Sequence, residues 1–257
     1  MSEPKVRCFD LSRTTFSPEG FYATNNQFQT TGPKGFIEVK VLENDNLYVR
    51  VDLPGVPDDA VRYRVDAVRQ KVVFFSGETL NNDKEGMREY SGTAGLGCDC
   101  CEITGVDAKM KDGVLRMILS RVKVVNKDQH NNKCTLTVPP FTGQSGRYLE
   151  DHPYVVNGRK GALFGVPTAG IGLYFAVDLP GVCGDDVQVF AHENEIRFYG
   201  EVKNVCEHDE SRRIYSGGIM SPPSRILPSV SSHNITWDAE FGVLKIVATP
   251  PGYTNNN

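Results

Sequence analysis

Three cysteines crowd residues 98–101, Cys98-Asp99-Cys100-Cys101, and thiolates at this spacing are ligands for zinc or partners in a redox couple. A closed zinc site needs four ligands, yet Cys8, Cys134, Cys183 and Cys206 stand singly elsewhere. In an extended segment Cys98 and Cys100 face one side and Cys101 the other, so the three do not converge on one ion. They read as buried thiols filling a sheet. Residues 206–210, "CEHDE", carry ligand types but read as the solvated face of a charged loop. The five histidines are dispersed, and none has a neighbouring Ser or Cys in a nucleophile motif. "GPKG" at 32–35 and "GRKG" at 158–161 lack the Ser/Thr and the Gly-rich span of a phosphate-binding loop. No catalytic residue, metal ligand or cofactor site is assigned, and the chain is not expected to be an enzyme.

The bulk properties narrow the function classes. Of 257 residues, 39% are hydrophobic and 23% charged, the balance of a globular protein. Net charge is −4 and no segment gathers Lys and Arg into a stripe, which argues against nucleic acid as a partner. The start "MSEPKVRCFD" lacks the apolar run of a signal peptide, and no run is long enough to span a bilayer, so no membrane role is expected. Seven cysteines without an export signal point to reduced thiols, and hence to the cytoplasm or nucleus.

What would position any of these groups is a duplicated domain. "VDLPGV" occurs at 51–56 and again at 177–182, and the same shift sets Gly32, Gly35, Leu47, Tyr48, Asp59 and Val61 on Gly158, Gly161, Leu173, Tyr174, Asp185 and Val187. Further on, Gly77-Glu78 matches Gly200-Glu201, Tyr90-Ser91-Gly92 matches Tyr215-Ser216-Gly217, and Gly113-Val114-Leu115 matches Gly242-Val243-Leu244. Within each copy the period is two: Leu47, Val49, Val51 and Leu53 share one face, with Tyr48, Arg50 and Asp52 on the other. That is the pattern of half-buried antiparallel strands. Pro-Gly after Leu53 and Leu179 ends a strand, because Pro cannot donate to the ladder. The fold class is all-β: two antiparallel β-sandwiches of immunoglobulin-like kind in tandem. The limits are an N-terminal arm (1–31), a first domain (32–123), a linker (124–157), a second domain (158–250) and a short tail (251–257).

A strand ending in "VDLPGV", a strand ending in "SGE", a charged loop running into "REYSG" and a final "GVLRMIL" together resemble the α-crystallin domain of small heat shock proteins. The chain looks like a divergent tandem-domain member of plant type. The resemblance implies an ATP-independent protein that binds other proteins and catalyses nothing. It also implies strand exchange through the loop after "SGE", here 79–91 and 202–216, ending at Tyr90 and Tyr215. With two domains on one chain, each is expected to pair with the other, a homodimer by exchange between chains being the alternative. Partner segments are expected in the groove of Val61, Tyr63 and Val65 with Met110, and in that of Val187 and Val189 with Trp237. Leu136-Thr137-Val138 resembles the family's docking motif, and Leu136 and Val138 are candidates to fill either groove; an ordinary apolar connector is the alternative. The chain ends "ATPPGYTNNN" without such a motif, and its arm is polar, with Phe9, Phe16, Phe21 and Phe28 expected to pack on the first domain. These departures favour a protein-binding adaptor; the alternative is a chaperone that holds unfolding clients.

Overall fold

The computed structural model describes residues 7–10, 21–22, 26–32, 35–68, 70–96, 100–124, 135–138, 151–168, 172–192, 195–209, 212–220 and 234–249. Cys98, Phe16 and Glu210 lie outside them. The described residues form β-strands and one short 3-10 turn at Gly184–Asp186, with no α-helix. None of their helices is long and apolar enough to cross a membrane.

Four antiparallel sheets pair into two sandwiches, as the alternation predicts. In the first, β4 (Ile37–Val41), β5 (Leu47–Asp52), β10 (Val114–Lys123) and β9 (Cys101–Lys111) lie side by side, with β2 (Phe21–Tyr22) on the edge of β4. Facing them are β6 (Arg62–Val65), β7 (Val72–Glu78) and β8 (Glu89–Leu96), extended by β11 (Thr135–Val138) and β1 (Arg7–Asp10). The second sandwich sets β13 (Leu163–Pro167), β14 (Leu173–Asp178), β19 (Val243–Ala248) and β18 (Ile235–Glu240) against β15 (Val187–His192), β16 (Glu195–Glu201) and β17 (Ile214–Met220). Val49, Val51, Phe75, Leu115 and Met117 fill the first core; Val177, Ile196, Phe198, Leu244 and Ile246 fill the second. Burying each such side chain contributes about 1.5–3 kcal/mol.

Two short strands break the order of the chain. β3 (Gln29–Thr31) lies between β2 and β4 of the first sandwich in the chain but pairs with β17 of the second. β12 (Val155–Asn157) precedes the second but pairs with β8 of the first. Phe28, expected against the first domain, instead stands in the second core, edge-on to Phe198 at 5.2 Å. Tyr154, its counterpart 126 residues on, sits in the first core, edge-on to Phe75 at 4.9 Å.

β5 also departs from simple alternation. All six of its residues are buried, including Tyr48, Arg50 and Asp52 on the face expected to meet water. What covers that face is the other copy of the repeat.

Candidate functional site: the seam between the copies and the open strand edges

The repeated motifs meet one another. The hairpins β9–β10 and β18–β19 turn through Asp112-Gly113 and Phe241-Gly242, all four residues at positive φ (50°, 71°, 50° and 69°). Such two-residue turns match the twist of the strands they join. In each copy the Leu of "DLPG" donates its N–H to the hairpin glycine: Leu53 to Gly113 O and Leu179 to Gly242 O, both at 2.8 Å. The glycine of "DLPG" then reaches the opposite copy, Gly55 N–H to Phe241 O and Gly181 N–H to Asp112 O, again both at 2.8 Å. Each hairpin glycine is pressed close: a Cβ on Gly113 would lie 2.3 Å from Phe241 O, and one on Gly242 2.5 Å from Asp112 O. Both family-like motifs therefore act at the same seam.

Ion pairs flank these turns. Arg88 grips the Asp178 carboxylate with both terminal nitrogens at 2.8 and 3.1 Å, and Arg213 reaches Asp52 at 2.7 Å, each pair joining opposite copies. Arg88 also donates to Pro54 O at 2.7 Å. Tyr90 and Tyr215 cap the turns of their own copies, donating to Pro54 O at 2.7 Å and Pro180 O at 2.9 Å. Burial pushes the Asp178 carboxyl up, but the charges of Arg159 (2.7 Å away) and Arg88 outweigh it and hold it below its ordinary value. Buried ion pairs of this kind are costly to break from one side, because the survivor keeps its charge without a counter-ion.

The segments leading into β3 and β12 carry a matched pair of polar groups. Asn26 donates from Nδ2 to Asp178 O, and His152 Nε2 lies on Asp52 O, both at 2.7 Å. The Tyr154 N–H donates to His152 Nδ1 at 3.3 Å, so the ring is the neutral tautomer with its proton on Nε2. Burial first, and then the Arg88 charge, lowers its pKa to about 4.

The charged loops expected to exchange strands make a different contact. Among their described residues no strand forms before Glu89 and Ile214, which open β8 and β17 in their own sheets. The strands that cross between the sandwiches are β3 and β12, and the described loop residues instead make side-chain contacts across the seam. Tyr174 OH donates to Glu85 at 3.0 Å, and Tyr48 OH, its equivalent, donates to Asp209. Arg159 adds a bond to Glu85 at 3.1 Å, and Arg116 one to Asp209 at 2.9 Å. Burial raises the Asp209 carboxyl, but the Arg116 bonds and Arg50 charge prevail and lower it.

Among the described residues, a strand edge is open at the far side of each sandwich. β6 ends its sheet and lies against β9, while β15 ends its sheet and lies against β18. In the first groove Val61 and Val65 are half-buried against the core, Tyr63 is 46% exposed and Met110 is buried. In the second, Val187 is buried, Val189 half-buried and Trp237 42% exposed. Tyr90 and Tyr215 are buried at the seam, where they receive the exchanged strands: Val155 faces Tyr90, and Gln29 faces Tyr215. Leu136 and Val138 stand in β11, which pairs with β8 and β1, at the opposite end of the sheet from β6. Cys100 and Cys101 bring their sulfurs to 3.7 Å, with Cys101 buried in the first core. No group of three His, Cys, Asp or Glu among the described residues is placed to hold a metal ion.

The ion-paired residues of the seam escaped the motif reading. A signal was present, since Asp52/Asp178 and Arg88/Arg213 are opposite charges that both copies repeat.

Antiparallel sandwiches that carry an Asp-Leu-Pro-Gly turn and a Gly-Val-Leu hairpin have the α-crystallin type of fold that the resemblance implied. The chain belongs to the family of predicted plant small heat shock proteins, whose pattern matches residues 8–251. It is 42% identical over 109 residues to a putative 57 kDa heat shock protein of Arabidopsis thaliana, covering 41% of this chain and 20% of that protein. It is 29% identical over 87 residues to a mitochondrial 23.6 kDa heat shock protein of the same plant, covering 32% and 40%. A 14.7 kDa heat shock protein, also from Arabidopsis thaliana, is 29% identical over 98 residues, covering 38% and 72%. The chain thus spans a fifth and two fifths of the first two relatives' lengths.

Proposed function

We propose that this chain is a non-catalytic protein-binding adaptor whose two α-crystallin-type domains, 32–123 and 158–250, pair with each other within one molecule. The observation that carries the reading is reciprocity: each "DLPG" turn bonds the other copy's hairpin, and the segment just ahead of each copy adds a strand to the other's sheet. A seam whose described residues are closed by the chain's own halves leaves little seam surface for a second chain, which lowers the drive toward large assemblies. The open edges β6 and β15 then serve as working surfaces that take extended partner segments by strand addition. The compartment that fits reduced cysteines is the cytoplasm or nucleus. Light scattering after size exclusion tests the pairing: a sharp species near 28.4 kDa is expected, and assemblies of a dozen chains would overturn it.

Membership of a heat shock family supports a second reading, an ATP-independent chaperone that holds unfolding clients in the same grooves. Suppression of heat aggregation at near-stoichiometric ratios separates the two. The adaptor gives none, and full suppression would make the chaperone the function.

A further inference from the structure

The two grooves come from one ancestral pattern, yet their rims differ in charge. Strand register fixes the equivalent positions. Val114 faces Lys111 and Val243 faces Glu240, so Lys109 and Lys111 of β9 correspond to Asp238 and Glu240 of β18. By the same logic Arg62 and Arg64 of β6 correspond to Gln188 and Phe190 of β15. All eight side chains are exposed. No ion pair with another described residue engages Arg62, Arg64, Lys109 or Lys111; Arg64 instead lies over the Phe74 ring at 4.8 Å. Two acidic side chains stand near this rim: Asp107 of β9 and Glu207 of the facing loop line one hollow with Lys109. On β15 and β18 no lysine or arginine occurs, and Trp237 stands where the first groove has Ala108.

These substitutions act on a strand whose N–H and C=O groups face outward. An edge armed with two arginines repels a like edge, which disfavours pairing with the same edge of a second copy. It attracts an extended segment whose outward side chains are acidic, while the half-buried Val61, Val65, Val106 and Ala108 accept that segment's apolar side chains. We propose that the β6–β9 groove selects acidic, alternating apolar segments of partner proteins, and that the β15–β18 groove does not accept them. The inference rests on the adaptor reading and gives it a direction: duplication has let one copy become the site for acidic partners.

The test uses the full chain and two labelled, end-blocked octapeptides, one alternating Val with Glu and the other Val with Lys, followed by fluorescence anisotropy. The Glu peptide is expected to bind on the order of tenfold tighter than the Lys peptide at low salt, with the preference fading as salt is added. The double variant Lys109→Asp/Lys111→Glu, combined with Arg62→Gln, transplants the other rim's charges at exposed positions and is expected to erase the preference. Asp238→Lys/Glu240→Lys is expected to leave the Glu peptide's affinity at the first groove unchanged. If both peptides bind equally and the rim variants change nothing, strand addition stands and the charge selection is overturned. If neither binds, strand addition falls with it. If the chain instead grows in mass at low salt, and Lys109→Asp/Lys111→Glu abolishes that growth, the basic rim faces a second copy and the proposal is overturned.

Discussion

Gly113→Ala separates two costs that are usually confounded at a hairpin glycine. Gly113 has φ 71° and Gly86 has φ 74°, so alanine at either position incurs the same left-handed strain, about 1–2 kcal/mol. Part of that strain is offset by the reduced freedom of the unfolded chain, about 0.4–1 kcal/mol. Around Gly86 nothing lies within 4 Å of an added Cβ, whereas at Gly113 the Cβ would meet Phe241 O at 2.3 Å and Pro54 Cα at 3.0 Å. Neither of those is the free end of a side chain, so the hairpin and the facing turn must separate. That weakens Leu53 N–H to Gly113 O and Gly181 N–H to Asp112 O, each with a net contribution of about 1 kcal/mol. Gly86→Ala is thus expected to cost about 1 kcal/mol and Gly113→Ala about 3 kcal/mol. For a chain of this length the difference is a fall in Tm of roughly 4–8 °C beyond the control. Thermal unfolding followed by circular dichroism, with urea titration as a second axis, measures both. Equal losses in the two variants would refute the idea that the Gly-Val-Leu glycine is required by the other copy, leaving only its backbone conformation.

Asp178→Asn leaves the buried guanidiniums of Arg88 and Arg159 facing a neutral amide, and a loss of about 3–5 kcal/mol is expected in urea titrations. Arg88→Met must cost less, because Arg159 still holds Asp178; the reverse order would contradict the shared-carboxylate geometry. His152 has a folded pKa of about 4 against 6.5 when unfolded, so between those values only the unfolded chain binds the proton. Its stabilisation is complete above pH 6.5 and drains by about 3 kcal/mol as the pH falls to 4. The depressed carboxyls of Asp178 and Asp209 keep their stabilisation above the unfolded carboxylate range and lose it below. His152→Asn, which copies Asn26 of the other repeat, is therefore expected to flatten the stability profile between pH 6.5 and 4 while sparing the more acidic limb; an unchanged slope would exclude the histidine as its source.

Alternation and turn chemistry settle locally, so the sequence alone determined the β class and the faces of its main strands. Leu47, Val49 and Val51 share a face because successive side chains in any strand point to opposite sides. Pro54-Gly55 turns where it does because the backbone preferences of its two residues need no partner. Only the tertiary structure decided what covers the polar face of β5. Arg50 and Asp52 have the pattern of residues that meet water, and they are buried because Arg213 and the Asp209 loop arrive from more than 150 residues away. The same holds for the exchanged strands. Gln29–Thr31 and Val155–Asn157 are too short to announce a partner, and each found its place by fitting an aromatic residue, Phe28 or Tyr154, into the opposite core. Local periodicity tells a strand which of its faces is apolar; which surface meets that face depends on the shape and charge of the whole folded chain.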